Sequence, residues 1–250
     1  SMKTLISILM LLAYCLPLRA ELAPEQALEG LLRATTCFHD TFSCEGGYLW
    51  KYKADLSEQW GEEKATKTQV WVQPPGTPSV GLLLLSAWQV TGKQCYLDWA
   101  RQAGYALATG QLASGGWDYW IGFSPEGALK HYRLSDSRAG KAPRIGQLNQ
   151  STFDDNTTQS ALRLLMALDR ALNQQDEKIH TAVQEGLKCL WGAQFRNGAW
   201  PQRFPLSPLH YSRYATFNDN AMNDCLLVML EAAATYDDEQ IGRASCRERV

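Results

Sequence analysis

The sequence has little of what several large functional classes require. It contains only four histidines, which are far apart in the sequence: His39, His131, His180 and His210. Their spacing indicates neither a histidine-based zinc site nor a Ser-His-Asp arrangement. It has no glycine-rich loop of the kind that cradles phosphates. After residue 20, no apolar run is long enough to form a membrane-spanning helix. These absences argue against a triad hydrolase, a phosphate-loop protein and a membrane-embedded function.

An excess of positive charge is also lacking. The whole chain carries a formal charge of −2, and residues 1–20 and 241–250 each contribute +2, so residues 21–240 carry −6. No basic stripe remains in this central part, which argues against nucleic acid as a partner. An acidic protein that handles an anionic polymer needs a cation, or a local cluster of Arg and Lys, to overcome repulsion.

Cysteine is sparse in the central part and is not arranged for metal binding. Five cysteines fall between residues 21 and 240, an odd number without metal-ligand spacing (Cys37, Cys44, Cys95, Cys189 and Cys225). Cys189 and Cys225 lie within apolar helical runs, where a buried thiol is the common role. We therefore expect no cysteine-based centre.

Both ends of the chain differ from the part between them. Residues 1–20 have the layout of a secretory signal peptide, with Lys3, an apolar segment over residues 5–16 and a small residue at Ala20. We expect a secreted or periplasmic protein that leaves the membrane once this segment is removed. Residues 241–250, "IGRASCRERV", break the preceding helical pattern and match the translation of a common sequencing adapter. We interpret them as an artefact, so that the expected domain covers residues 21–240 and is truncated at its C-terminal end.

A unit of helix, aromatic loop and second helix recurs three times. The loops open with "EGGYLW", "SGGWDYW" and "NGAWPQRF". Amphipathic periodicity predicts first helices over residues 25–41, 96–111 and 178–194, and more apolar second helices over residues 77–89, 156–172 and 220–236. Strand-like alternation is brief, at residues 68–73. The pattern predicts an all-α fold, an α/α toroid or barrel of repeated helical hairpins, with the long aromatic loops at one end.

Two acidic turns open the second and third of these apolar helices. "STFDDN" contains Asp154 and Asp155, and "ATFNDN" contains Asn218 and Asp219, 64 residues after the first turn. One interpretation is helix capping, with Asn156 and its neighbours as N-caps and a capping box to the glutamine three residues later. The other is a cation or substrate site, because carboxylate and amide oxygens are the ligands that calcium prefers. The repeat places both turns on one face, and both interpretations stay open.

Aromatic and basic residues in the loops supply further candidates. Trp117 and Trp200 either pack the loops onto the helices or stack against sugar rings at the rim, and we favour the rim for both. For Trp71 we favour the core. Arg203 and Arg213 flank the loop that leads to the second acidic turn, close to Tyr211 and Tyr214, where a guanidinium could grip a carboxylate. The expected substrate-binding residues are therefore Trp117, Trp200, Arg203, Tyr211, Arg213 and Asn218.

At these residues the sequence resembles the pectate lyase family 10 group and its pectic acid lyase domain. The similar stretches are "GGWDYW", "STFDDNTTQSALRLLM", "AQFRNGAWPQRFPL", "YATFNDNAMNDCLLVMLEAA" and "ATKTQVWVQPPGTPSVGLLLL". Together they extend over most of residues 21–240. The order of Gly-Ala-Trp-Pro-Gln followed by Thr-Phe-Asn-Asp-Asn-Ala-Met is fairly specific, whereas Gly-Gly-Trp by itself is not.

The resemblance implies an α/α toroid that cleaves polygalacturonate by calcium-assisted β-elimination. By position, Asp154, Asp155 and Asp219 correspond to the family's catalytic and calcium-binding acidic residues. The family's first acidic motif resembles Thr-Ile-Asp-Asn, so the sequence leaves open which of Asp154 and Asp155 is the ligand. The family's base is an arginine, which normally stays protonated. We expect that arginine downstream of Gln240, which would leave this fragment catalytically incomplete.

The implied partner is an anionic plant-type polysaccharide, and the expected oligomeric state is a monomer. Other functions remain open at this point. Two matches to Gln-x-x-x-Gly-x-Trp suggest a terpenoid-cyclase-like α/α protein, although Gln111 and Gln194 are better read as helix ends tied to the next turn. A catalytically silent carbohydrate-binding toroid is a third reading. A uronate hydrolase with Asp155 and Asp219 as paired acid and base is a fourth.

Overall fold

The computed structural model describes residues 23–236, and most of this part is helical. Its α-helices are α1 (Pro24–Phe42), α2 (Thr77–Thr91), α3 (Gln94–Gly110), α4 (Pro125–Ala128), α5 (Leu134–Arg138), α6 (Thr157–Ala171), α7 (Glu177–Ala193) and α8 (Ala221–Thr235). The six long helices confirm the six predicted from periodicity, with bounds that agree within two residues. The expected signal peptide and the suspected artefact at residues 241–250 lie outside the described residues.

The chain divides into two compact units, and the division falls within α1, between Phe38 and His39. The described part of the first unit is the beginning of α1, where the Thr35 hydroxyl donates to the carbonyl oxygens of Leu31 at 2.8 Å and Leu32 at 3.1 Å. The second unit contains the end of α1 and the other elements.

The five long helices of the second unit pack as two layers. In one layer, α6 lies between α2 and α8; in the other, α3 packs on α2 and α6, and α7 packs on α6 and α3. The pairs α2–α3 and α6–α7 are therefore helical hairpins, each with one helix in each layer. This is the arrangement of an α/α toroid, and it confirms the predicted all-α class and architecture.

Periodic apolar residues explain why these helices pack in this way. The predicted stripe of α3, which includes Ala100, Ala103 and Leu107, is buried, as is that of α7. Helices α2 and α6 approach closely at Gly81, where a Cβ atom would lie 2.3 Å from Cδ2 of the buried Leu164. Small residues at such points let neighbouring backbones come together and bury the larger side chains around them.

Short strands join the long loops to one another. They are β1 (Lys51–Tyr52), β2 (Gln59–Trp60), β3 (Lys64–Ala65), β4 (Gln69–Trp71), β5 (Trp120–Gly122), β6 (Ser151–Thr152) and β7 (Arg203–Phe204). The pairs β4–β5 and β6–β7 are antiparallel and connect successive aromatic loops, while β1, β2 and β3 form a sheet within the first. The predicted alternation at residues 68–73 is confirmed as β4. The two-residue strands are too short to leave a periodic signal.

Two simpler predictions also have a clear outcome in this part of the chain. Cys189 and Cys225 are buried, as expected for thiols on the packed faces of helices. Among residues 23–236, the helices are all too short or too polar to cross a bilayer.

Candidate functional site

Two short turns with nearly identical backbones precede α6 and α8. Each is a single 3-10 turn, and in each the central aspartate has a left-handed conformation: Asp155 has φ 49° and ψ 31°, and Asp219 has φ 47° and ψ 35°. The asparagine that follows each aspartate also has a positive φ, of 56° and 58°. Aspartate and asparagine enter this region more readily than most other residues with a side chain, because they can hydrogen-bond locally. The repeated Asp-Asn pair is thus what lets the chain turn twice in the same way.

The turns do not act as conventional helix caps. Asn156 is the N-cap residue of α6, but its left-handed backbone differs from the extended conformation that directs a capping side chain at the next turn, and it makes no capping hydrogen bond. Asn220 before α8 behaves in the same way. Gln159 donates to the Phe153 carbonyl oxygen at 2.8 Å instead of closing a capping box. The capping box predicted from Asn156 and Gln159 is therefore wrong.

The two turns bring three carboxylates together. Asp154, Asp155 and Asp219 each offer one oxygen atom, and the three atoms lie within 4.8 Å of one another. Calcium binds oxygen ligands at about 2.3–2.6 Å, so two ligands of one ion are at most about 5 Å apart. The measured separation is therefore within the range that one calcium ion can bridge.

Asp154 has one oxygen satisfied by the protein and one left without a partner. Its Oδ2 accepts a hydrogen bond from the Tyr119 hydroxyl at 3.1 Å, and its backbone N–H donates to the Thr152 hydroxyl at 3.2 Å. Its Oδ1 atom is buried and has no hydrogen-bond partner among the described residues. A buried oxygen without a partner is costly unless something else satisfies it. A cation held in the cluster would do so, and the donor set therefore fits calcium.

The surroundings of Asp155 favour its protonated form when no cation is present. Burial, the neighbouring Asp154, the Asp219 carboxylate and Glu62 together raise the pKa of Asp155 to about 6. Burial is the largest cause, followed by repulsion from the like charges in that order. A positive ion among these carboxylates would remove much of this repulsion.

Asp219 is more exposed to solvent than Asp154 and Asp155. Its carboxylate accepts a hydrogen bond from the side-chain amide of Asn218, and both residues are exposed. Asn218 occupies the position that Asp154 has in the first turn. The predicted site residue Asn218 is therefore brought to the cluster, where it contacts Asp219 directly.

Arg203 is also brought to the cluster, through Tyr119. The pairing of β7 with β6 places Arg203 opposite Thr152, immediately before the first acidic turn. Its guanidinium carbon lies 5.5 Å from the centre of the Tyr119 ring, the same tyrosine that donates to Asp154. Burial and the Asp154 charge raise the pKa of Tyr119 to about 12, so its hydroxyl remains a donor at neutral pH.

Arg213 and Tyr211 have contacts of a different kind. The Arg213 guanidinium donates to the Pro208 carbonyl oxygen and lies 5.5 Å from the centre of the Tyr214 ring. Tyr211 is 66% exposed and its ring packs against His210. These described contacts are made within the loop that precedes the second acidic turn, so the structure does not join this pair to the three carboxylates.

The placement of Trp117 and Trp200 corrects the prediction that both lie at the rim. Trp117 is 0% exposed and Trp200 is 2% exposed. Their indole N–H groups make equivalent hydrogen bonds, to the carbonyl oxygens of Leu107 at 2.8 Å and Leu190 at 2.7 Å, ten residues earlier in each case. They are repeated core residues that anchor the loops to the preceding helices, because a tryptophan can bury its ring while one polar atom is satisfied. Trp71 is buried as predicted.

The glutamines of the Gln-x-x-x-Gly-x-Trp matches have the structural role that we favoured. Gln111 is the C-cap residue of α3 and donates to the Gly115 carbonyl oxygen at 2.6 Å. Gln194 is the C-cap residue of α7 and donates to the Gly198 carbonyl oxygen at 2.9 Å. The motif thus ties a helix end to the loop that follows it, and this role removes the feature that suggested a terpenoid cyclase.

Sequence reasoning missed two residues that shape the site. Tyr119 lies inside the "GGWDYW" stretch, and its hydroxyl group is the signal that could have marked it as a candidate site residue. Glu62 has no signal in the sequence, because its effect on Asp155 depends on how the first loop folds back.

The three carboxylates of the acidic cluster differ in exposure, with Asp154 and Asp155 half-buried and Asp219 exposed. Two surface cavities, of about 330 and 500 Å³, are lined by residues of α3, α7 and their neighbouring loops, including Lys178 in both. The three carboxylates are not among their lining residues.

Comparison with known proteins relates this site to a family. The family model described as pectic acid lyase matches residues 122–247, half of the chain, and the match includes both acidic turns. It extends into residues 241–250, so the interpretation of that segment as an artefact stays a prediction. No curated protein matches the sequence.

Two solved structures resemble the chain. One is a family 10 polysaccharide lyase from Cellvibrio cellulosa, with 21% sequence identity and a TM-score of 0.41, covering 66% of this chain and 46% of that one. The other is a mutant of a family 10 polysaccharide lyase from the same organism in complex with trigalacturonic acid, with 18% identity and a TM-score of 0.48, covering 82% of this chain and 62% of that one. The chain thus spans about half of the first structure and somewhat more of the second.

Proposed function

Because this chain belongs to the pectic acid lyase family, we propose that its protein is a secreted polysaccharide lyase that cleaves polygalacturonate by β-elimination with the assistance of calcium. The observation that supports this most directly is the convergence of Asp154, Asp155 and Asp219 from two separate turns. Helix capping does not account for it, since neither helix start uses a side-chain cap. We propose these three carboxylates as the residues that hold the ion.

The substrate and the protein both carry net negative charge, which a cation held between them would offset. Polygalacturonate carries one carboxylate per sugar, and residues 21–240 carry a formal charge of −6. A bound calcium ion would neutralise a uronate carboxylate and stabilise the negative charge that develops when the neighbouring proton is removed. In β-elimination that proton leaves C5, a double bond forms between C4 and C5, and the glycosidic oxygen leaves C4.

The side chains around the three carboxylates have supporting roles in this proposal. Tyr119 donates to Asp154 and so fixes the orientation of one ligand, as partners of metal-binding carboxylates commonly do. Asn218 does the same for Asp219. Arg203, half-buried against the Tyr119 ring, is the arginine that we propose to pair with a uronate carboxylate, since a guanidinium can form two parallel hydrogen bonds with it.

The test is the formation of unsaturated uronides from polygalacturonate, measured as ultraviolet absorbance with the protein at its natural length. We expect absorbance to rise in the presence of calcium and to stop in excess chelator. Absorbance that persists in chelator would contradict the role of calcium. Reducing ends without absorbance would indicate a hydrolase, and binding of the polymer without either product would indicate a carbohydrate-binding protein.

The raised pKa of Asp155 predicts how calcium binding depends on pH. Below a pH of about 6, calcium must displace a proton from Asp155, so its apparent affinity should fall by up to about tenfold for each further pH unit. Above that pH the affinity should change little. Calorimetric titration of the chain with calcium between pH 5 and pH 8 measures this.

The same shift has a consequence for stability. A carboxyl whose folded-state pKa is raised binds more protons in the folded state, so the calcium-free protein should lose stability as the pH rises from about 4 to 6. Calcium should reverse that loss. The stabilisation by calcium in thermal unfolding should therefore grow over this interval, and Asp155→Asn should remove the trend. An equally steep trend in Asp155→Asn would contradict the assignment to Asp155.

A further inference from the structure

Arg163 links the first acidic turn to α8, the helix that follows the second acidic turn. It lies in the second turn of α6, and its side chain, which is 19% exposed, reaches the start of α6 and the neighbouring helix α8. Its Nε donates to both carboxylate oxygens of Glu231 on α8, at 3.0 Å each. Its Nη1 lies 3.7 Å from Oδ1 of Asp224, in the first turn of α8. The same Nη1 donates to the side-chain oxygen of Asn156 at 3.5 Å.

These contacts connect the neighbours of the proposed ligands. Asn156 directly follows Asp155 and shares its left-handed turn, while Asp224 comes five residues after Asp219 in the next helix. One guanidinium therefore contacts the first turn on one side and the helix of the second turn on the other. Long side chains on a helix point back towards its N-terminus, which explains how Arg163 can reach Asn156 from two turns further along.

The repeat itself does not require an arginine here. In α8 the position equivalent to Arg163, 64 residues later, is Leu227, which is 47% exposed. The arginine is therefore specific to the contact between α6 and α8. Its partner Asp224 is largely buried, and burial raises its pKa while the Arg163 charge lowers it. The arginine therefore compensates the charge of this carboxylate.

We propose that Arg163 is a positioning residue for the cation site, which sets the separation of the two acidic turns and so prepares Asp155 and Asp219 to bind one ion. This inference rests on the proposed function, because it assumes that the cluster holds a cation. The three ligands repel one another when no cation is bound, and a link between their two turns opposes that repulsion. Partners that orient metal ligands in this way typically contribute 10-fold to 100-fold to metal affinity.

Charge alone predicts the opposite effect, and this makes the proposal testable. Arg163 is a positive charge near the site, so its removal should strengthen calcium binding if it acts only through its charge. If it acts by positioning, Arg163→Gln should weaken calcium binding by about tenfold. Arg163→Lys keeps the charge and the aliphatic stem but not the forked contacts, and it should also weaken binding, by several-fold. Arg170→Gln, which removes an exposed arginine two turns along the same helix, is the matched control and should leave affinity unchanged.

The measurement is calorimetric titration of the full chain with calcium chloride, for the wild type and the three variants. A second readout is the rate of uronide formation as a function of calcium concentration. Excess calcium should restore the rate of Arg163→Gln, since positioning affects the affinity for the ion, whereas general damage to the fold would not be restored.

Each outcome has a defined meaning. Arg163→Gln that binds calcium as tightly as the wild type, or more tightly, overturns the inference while the cation site stands. If that variant does not fold, Arg163→Lys decides, and unchanged affinity in it overturns the inference. A wild type that does not bind calcium overturns the cation site of the proposed function, and the positioning role with it.

Discussion

Replacing Asp154 with asparagine should lower calcium-dependent uronide formation by at least about 100-fold. Asp154 supplies a buried oxygen that no described residue satisfies, and its other oxygen is held by the Tyr119 hydroxyl. The substitution removes one negative charge and replaces one carboxylate oxygen with an amide group that repels a cation. Loss of an interaction that stabilises developing charge typically costs 10²-fold to 10³-fold in rate. Initial rates at saturating polygalacturonate, measured over a range of calcium concentrations, provide the comparison.

The adjacent aspartate provides the matched control. Asp155→Asn makes the same chemical change one residue further along. It turns Thr-Phe-Asp-Asp into Thr-Phe-Asp-Asn, which is closer to the Thr-Ile-Asp-Asn pattern that the family's first acidic motif resembles. Asparagine also accommodates the left-handed backbone at this position, where φ is 49°. We therefore expect a smaller loss than that of Asp154→Asn, because an asparagine side-chain oxygen remains available to calcium at this position. If Asp155→Asn is the more damaging of the two, then Asp155 contributes more to the site than Asp154, and this prediction is wrong.

The site residues that could be predicted from the sequence are those at equivalent positions of the internal repeat. Asp155 and Asp219 occupy equivalent positions in two copies of one unit, and equivalent positions of an α/α toroid lie on one face. Repetition therefore places them on one face, and the packing of α6 against α8 brings them close together. Glu62 belongs to the irregular first loop, and its effect on Asp155 arises from tertiary folding that no local pattern records. The same is true of Arg163, whose three partners are separated along the chain but meet between two helices.

The fold was predictable for a similar reason. Helix periodicity is strong in α3 and α7, where apolar residues three and four positions apart are all buried. The two-residue strands contribute little to any pattern, although β6 and β7 position both Thr152 and Arg203 beside the site. One prediction was wrong: the tryptophans next to glycines in the loops suggested a sugar-binding rim. The structure assigns Trp117 and Trp200 to the core because their N–H groups find carbonyl partners there.

Replacing Trp117 with alanine should lower the free energy of unfolding by about 3–5 kcal/mol, the usual cost of truncating a large aromatic core residue. Trp117 is fully buried, donates to the Leu107 carbonyl oxygen at 2.8 Å and packs beside Gly186, where a Cβ atom would lie 3.4 Å from its ring. Urea-induced unfolding of the wild type and the variant in chelator measures the change without a contribution from calcium.

A conservative variant separates the two functions of this side chain. Trp117→Phe keeps most of the buried aromatic surface but loses the N–H donor, which leaves the Leu107 carbonyl oxygen without this partner and should cost about 1–3 kcal/mol. If Trp117 instead belonged to a sugar-stacking rim, Trp117→Ala would leave the unfolding free energy nearly unchanged and would weaken binding of polygalacturonate. Because a side chain with no exposed surface cannot stack against a polymer without rearrangement of the loop around it, we expect the loss to be one of stability, with calcium affinity retained in the fraction that remains folded.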